Sequence, residues 1–201
     1  MNKTITKIGP ADHGRPMSLE EFDEAQGQAG FLYELSRGII TVTDVPRKRH
    51  LLLVRGIRRQ LAAYEMLHLD LIQLIAGGNE CKLLVDDLDS ERHPDVSVYL
   101  TPPPEHEDRN FWRRWVPEIV IEVVSPSSRK RDYKEKPEEY LRFGVKEYWI
   151  VDADKRSMIV MRRARGRWIE TTIQPPAIYR PKLLTGLEFS IEAVFKSAGL
   201  A

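Results

Sequence analysis

Two acidic side chains in the sequence stand where a metal site could form. Glu122 lies inside an apolar run, Ile119–Val124, that predicts a buried strand, and a carboxylate there is costly to bury as an ion unless a cation or strong donors compensate it. Asp95 follows Pro94 at the start of another predicted strand. Such residues on neighbouring strands can converge on Mg²⁺, which prefers oxygen ligands and keeps waters for substrate. A buried arginine partner would explain Glu122 equally well, so both interpretations stay open.

Further charged residues follow the Glu122 strand. Residues 129–136 carry five positive and two negative side chains, which suits either a loop that tracks phosphates or a solvated helix start. Lys136 and Tyr140 are four residues apart and share a helical face, so Lys136 could point back at the Glu122 strand. Glu34 follows three apolar residues and faces either the same cleft or solvent.

The elements that position these residues are a mixture of helices and strands. Hydrophobic spacing and a capping box at Ser18 predict helices over 19–26, 48–68, 137–143 and 191–198. Alternating or continuous apolar runs predict strands within 31–42, 96–100, 116–124 and 147–151, and a hairpin, Met158–Ile173. The sequence contains no internal repeat. We expect a flexible N-terminal tail over residues 1–17 and one α/β domain with a mixed sheet over residues 18–201.

Composition excludes several classes of protein. The 201 residues are 42% hydrophobic and 30% charged, which is typical of a globular domain with one core. The 31 basic and 30 acidic side chains leave a net charge of +1, so overall charge gives no argument for nucleic-acid binding. Cys81 is the single cysteine, which excludes an internal disulfide and a two-cysteine zinc site and favours the cytoplasm. The apolar runs are too short to span a membrane.

The order of these residues resembles a known family. The run from Glu122 through Ser125-Pro126-Ser127 to Asp152 is the most specific part, and Glu34, Gly38, Pro46, His50 and Pro94-Asp95-Val96 precede it in the expected order. The chain resembles the Uma-two (Uma-type) family of "putative restriction endonucleases", a branch of the PD-(D/E)XK nuclease superfamily. The resemblance covers roughly residues 17–197.

The resemblance implies a restriction-endonuclease-like core, with a central mixed β-sheet flanked by helices, and Mg²⁺-dependent cleavage of phosphodiesters, with Mn²⁺ as a substitute. It makes Asp95 and Glu122 the metal ligands and Glu34 the acidic residue of the early helix–strand unit. The superfamily's lysine stands two residues after the glutamate, where this chain has Val124. Lys136, on the next predicted helix, is the natural replacement.

Two classes of function follow from these observations. The leading hypothesis is a cytoplasmic, metal-dependent endonuclease acting on DNA, with Asp95, Glu122, Lys136 and Glu34 as its catalytic residues. The alternative is a nuclease fold that has lost its chemistry and binds nucleic acid or another protein, which Val124 and the near-zero net charge favour. A homodimer is expected in either case, with the apolar hairpin Met158–Ile173 as its contact surface.

Overall fold

The computed structural model describes residues 5–106, 108 and 110–200. Within them, the α-helices are α1 (Leu19–Asp23), α2 (Lys48–Leu67), α3 (Phe111–Arg114), α4 (Lys136–Phe143) and α5 (Ile191–Ser197). The strands are β1 (Lys7–Ile8), β2 (Gln26–Gly27), β3 (Phe31–Ser36), β4 (Ile39–Asp44), β5 (Leu74–Ala76), β6 (Leu83–Val85), β7 (Ser90–Arg92), β8 (Val96–Tyr99), β9 (Ile119–Val123), β10 (Glu147–Asp152), β11 (Ser157–Ala164), β12 (Arg167–Ile173), β13 (Ile178–Tyr179) and β14 (Phe189–Ser190). A π-helical segment, Arg131–Glu135, leads directly into α4.

The central sheet is mixed. Its six strands lie in the order β12-β11-β10-β9-β8-β5, with β9 and β10 parallel and the other neighbouring pairs antiparallel. Every residue of β9 and β10 is buried, as is typical of strands covered on both faces. The predicted mixed α/β architecture is therefore confirmed.

Helices cover both faces of this sheet. On one face, Leu53, Ile57 and Leu61 of α2 belong to a core cluster that also contains α5 and the inward residues of β8 to β10. Their spacing of four residues makes one apolar stripe along α2. On the other face, Tyr140 of α4 packs in a second cluster with Val120 of β9 and two residues of β10. Residues of even number in β9 point towards α4, and this parity decides where Glu122 points.

A second, antiparallel sheet lies beside α4. Its strands follow the order β4-β3-β7-β6, and Leu35 of β3 pairs with Glu91 of β7. The short strands β6 and β7 have three residues each, too few for a periodic pattern, and the sequence did not predict them. They matter for function because β3 carries Glu34 and β7 carries Arg92.

The described part of the predicted N-terminal tail, residues 5–17, makes defined contacts with the domain. β1 pairs in parallel with β2, and Ile8 is buried. Further along, the Val42 N–H donates a hydrogen bond to Nδ1 of His13 at 3.1 Å. These contacts use backbone groups that composition does not reveal.

The hairpin of β11 and β12 forms as predicted, but its apolar residues serve the chain's own core. Met158 and Val160 are fully buried, and the Trp168 indole N–H donates to the carbonyl of Pro137 at 2.7 Å. Ile169, 46% exposed, faces outward from β12, the edge strand of the sheet. The surface available to a second copy is therefore the strand edge rather than an apolar face.

Among the described residues, each helix is too short or too polar to cross a membrane.

Candidate active site

Asp95 and Glu122 come together where β8 and β9 lie side by side. Val96 pairs with Ile121 in the antiparallel register, so one step further along the strands Asp95 lies opposite Glu122. The Val123 N–H donates to Oδ2 of Asp95 at 2.7 Å. The Asp95 carboxylate is thus held against the strand that carries Glu122.

The cation that compensates buried Glu122 is a lysine from the following helix, not an arginine within the sheet. The Glu122 side chain is 5% exposed and points towards α4. Lys136 Nζ donates to Oε1 of Glu122 at 2.8 Å, and the Tyr140 hydroxyl donates to the same oxygen at 2.5 Å. Burial raises the pKa of Tyr140 well above its ordinary value, so this hydroxyl keeps its proton and acts as a donor.

The charge around Glu122 is not balanced by Lys136. Burial raises the pKa of Glu122, and the ammonium of Lys136 opposes that effect. Three acidic neighbours, Asp95, Asp132 and Glu34, raise it again, and the pKa lies at about 8. Burial and these acidic neighbours together therefore outweigh the effect of Lys136 on the pKa of Glu122.

Lys136 reaches the site because of the π-helical segment before α4. The Lys136 N–H donates to the carbonyl of Arg131, five residues back, and such wide turns occur often at functional sites. The ammonium lies 2.8 Å from Glu122, 3.1 Å from Asp132 and 3.7 Å from Glu34. Burial lowers the pKa of Lys136, but these three carboxylates raise it above its usual value, so the side chain stays charged.

Glu34 joins the site from β3 through a buried arginine. Arg92 of β7, fully buried, donates from Nε and Nη2 to the two carboxylate oxygens of Glu139 at 2.6 and 3.0 Å, and from Nη1 to Glu34 at 3.2 Å. Burial raises the pKa of Glu34, but Lys136, Arg92 and Arg131 more than offset this and hold it at about 2. Glu34 is therefore an ionised member of the site, not a solvent-exposed strand residue.

Sequence reasoning missed Arg92 and Glu139, and it counted Asp132 only among the charges of residues 129–136. Arg92 ends a run of three polar residues, Ser90-Glu91-Arg92, which gives no periodic signal of a buried strand. Asp132 precedes Lys136 by four residues, so the helical spacing that linked Lys136 with Tyr140 could also have linked these two side chains.

His50, in the first turn of α2, contacts the site from the other side. Its Nε2 lies 2.8 Å from Oδ1 of Asp95, and its side chain is 17% exposed. Burial lowers the pKa of His50, but the hydrogen bond and the negative charges of Asp95 and Glu122 raise it above the ordinary value. In the sequence, this residue is placed only by the order of the family resemblance, which gives it no role.

The basic segment 129–136 is largely neutralised within the chain. Four of its five cations lie beside carboxylates. The pairs are Arg129–Asp152, Lys130–Glu135, Arg131–Glu34 and Lys136–Glu122. Lys134 is exposed and makes no ion pair within the described residues. The interpretation as a helix start with paired charges therefore fits better than a loop that tracks phosphates.

The donor set suits a hard divalent cation. Asp95 and Glu122 bring two carboxylates to the place where β8 and β9 meet, and burial together with the negative charges of Asp95, Asp132 and Glu34 raises the pKa of Glu122, an effect that a bound cation would oppose. Over residues 5–106, 108 and 110–200, no three His, Cys, Asp or Glu side chains converge into a ready-made metal cage. A site with two protein carboxylates matches Mg²⁺, which commonly keeps several waters.

The fold is a mixed sheet with helices on both faces, and Asp95 and Glu122 lie where β8 and β9 meet. The structure is similar to a crystal structure described as a putative nuclease belonging to DUF820 from Anabaena variabilis, with a TM-score of 0.73 and 20% sequence identity. That similarity covers 91% of this chain and 99% of the other.

The sequence profile of the Uma2 family, described as "Putative restriction endonuclease", matches residues 19–192. The chain belongs to this family, as its residues predict. A comparison with curated proteins finds no match.

Proposed function

We propose that this chain is a divalent-metal-dependent endonuclease that hydrolyses DNA phosphodiester bonds. The observation that carries the proposal is the arrangement of three side chains. Asp95, directly before β8, lies opposite Glu122 of β9, and the Lys136 ammonium lies 2.8 Å from Glu122. Membership of a family of restriction-endonuclease-like proteins supports the reaction class.

In this proposal Asp95 and Glu122 hold Mg²⁺ or Mn²⁺. When bound, the metal ion supplies polarisation of the phosphodiester and a lower pKa for the attacking water. Lys136, kept charged by its acidic neighbours, stabilises the negative charge that develops on the phosphate or orients the water. Arg92 donates a hydrogen bond to Glu34, and the Glu34 carboxylate lies 3.7 Å from the Lys136 ammonium and stabilises its charge.

The test is nicking of supercoiled plasmid DNA by the purified chain. Cleavage should require Mg²⁺ or Mn²⁺, stop with a chelator, and disappear in Asp95→Asn and in Glu122→Gln. Glu118→Gln is a matched control, since this carboxylate is also buried, directly before β9, and hydrogen-bonds to the Leu100 N–H at 2.7 Å. It should cleave as the wild type does. Full activity in either site variant would refute the two-carboxylate site. A parallel assay with RNA of the same sequence tests the choice of DNA.

One contact favours a second candidate function. The Lys136 ammonium bonds directly to Glu122 and supplies part of the compensating charge. A chain in which this pair never opens would be a nuclease fold that binds nucleic acid, or another protein, without cutting it. Binding of duplex DNA in a gel-shift assay without cleavage at any metal concentration would select this alternative.

We propose that the enzyme works as a homodimer in the cytoplasm. Two sites allow two strands to be cut, and the edge of β12 offers unpaired backbone groups to a second copy. Sedimentation velocity at micromolar concentration should show a species of twice the chain mass. A single-chain species at all concentrations would contradict the dimer. A single cysteine, Cys81, buried and unpaired, suits the reducing cytoplasm.

A further inference from the structure

We propose that His50 is a positioning residue that sets the orientation of the Asp95 carboxylate for the metal ion. The inference rests on the proposed function, because it assigns His50 a task at the same site. It adds the first turn of α2 to the segments that build the site.

Two hydrogen bonds, one from α2 and one from β9, fix the orientation of the Asp95 carboxylate. His50 Nε2 lies 2.8 Å from Oδ1, and the Val123 N–H donates to Oδ2 at 2.7 Å. Contacts to both oxygens fix the plane of the carboxylate as well as its position. Each carboxylate oxygen can accept more than one hydrogen bond or ligand, so both oxygens keep capacity for a cation.

The hydrogen bond also shows how His50 acts. An ionised carboxylate only accepts hydrogen bonds, so Nε2 of His50 carries the proton and donates it to Asp95. A protonated nitrogen has no lone pair for a metal ion. His50 therefore works through Asp95, in the way that partners of metal ligands commonly orient those ligands.

The position of His50 is rigid because α2 is firmly packed. Leu53, Ile57 and Leu61 of the same helix are buried in the central core at 2% exposure or less. The His50 side chain itself is 17% exposed and sits between this helix and the start of β8. A side chain held this way gives Asp95 an orientation that the flexible start of a strand would not maintain.

The test measures Mn²⁺ affinity by calorimetry on the full-length protein, without DNA. We expect His50→Ala to weaken binding 10- to 100-fold, the usual effect of losing such a partner. His50→Gln, whose amide can donate to Asp95, should stay within a few-fold of the wild type. Leu51→Ala, an exposed neighbour on the same turn, is the matched control and should bind normally. Circular dichroism and thermal unfolding of the metal-free variants verify that each one folds.

The outcomes separate this inference from the proposed function. A wild type that binds no Mn²⁺ refutes the metal site and the role of His50 with it. Normal affinity in His50→Ala, with metal binding lost in Asp95→Asn, refutes only the role of His50. Pulsed electron paramagnetic resonance of the wild type with Mn²⁺ needs no variant. It should show no directly coordinated imidazole nitrogen, and such a coupling would make His50 a ligand and overturn the proposal.

Discussion

Substitution of Gly77 by alanine should disable the site without touching any charged residue. Gly77 approaches the backbone of the Pro94–Asp95 segment so closely that an added Cβ would lie 2.1 Å from the Asp95 carbonyl oxygen. The backbone of Gly77 is extended, with φ at 179°, so the constraint comes from this close approach rather than from a left-handed conformation. Next to it, the Gly78 N–H donates to the carbonyl of Pro94 at 2.7 Å. The contacts of these two glycines therefore fix the position of the backbone at Asp95.

The size of the effect follows from this contact. The two segments have to separate by about 0.9 Å before the contact reaches the 3.0 Å below which real Cβ atoms are essentially never found. The two atoms in this contact are a Cβ atom and a backbone carbonyl oxygen, so rotation of a flexible side chain cannot relieve it. A misplacement of roughly 1 Å at a catalytic group can cost about 10²-fold in rate. We therefore expect Gly77→Ala to slow DNA cleavage about 100-fold and to weaken Mn²⁺ binding.

The assay compares single-turnover cleavage rates with the fraction of folded protein measured by circular dichroism. Gly166→Ala is the control, because this glycine has a φ of +75° and nothing within 4 Å of an added Cβ. It should cost about 1 kcal/mol through backbone strain and leave the cleavage rate unchanged. A folded Gly77→Ala variant that cleaves within about threefold of the wild type would refute the argument that this contact positions Asp95.

Three further predictions concern the charged side chains. Lys136→Ala should lower cleavage about 100-fold while Mn²⁺ binding survives, because one electrostatic stabiliser is lost and both carboxylates remain; Val124→Lys in that background should partly restore cleavage, and no restoration would mean that the two positions do not serve one site. Glu122 has its pKa raised to about 8, so the metal-free protein should lose stability as the pH rises from 4.5 towards 8, by up to about 1.4 kcal/mol per unit. Glu122→Gln should flatten this dependence in urea unfolding with a chelator, and an unchanged slope would place the titration elsewhere. Arg92→Met should lower the free energy of unfolding by about 3–5 kcal/mol, because it leaves Glu139 buried without its partner, and Glu139→Leu in that background should recover part of the loss.

Long periodic elements could be predicted from the sequence because their burial pattern is strong. Spacing predicted a helix over 48–68, and α2 spans Lys48–Leu67. The apolar run around Glu122 predicted β9, and the helical face shared by Lys136 and Tyr140 indicated that Lys136 could point back at that strand. In the structure both side chains bond to Glu122. In each case the pattern extends over several residues and indicates which face of the helix or strand points towards the core.

Features that depend on tertiary contacts could not be predicted. The sequence Ser90-Glu91-Arg92 resembles a loop, yet it is a buried strand because Arg92 finds Glu139 on α4 and Glu34 on β3. The π-helical turn before α4 has no composition that distinguishes it from an ordinary helix start. The buried strand and the π-helical turn both depend on ion pairs between residues far apart in the sequence, and a single sequence contains no signal for such pairs.

Because Lys136 lies on α4 and not on the strand of Glu122, a movement of this helix alone can abolish activity. A lysine two residues after the glutamate would share its strand, and covalent geometry would keep the two together. Here the distance depends on the docking of α4 on the sheet, where Tyr140 contacts Tyr148 with ring centroids 4.9 Å apart. A local opening of this helix would separate the ammonium from Glu122 and leave Asp95 and Glu122 on their strands. Mild denaturant should therefore abolish cleavage before it releases the metal, and both before the sheet unfolds.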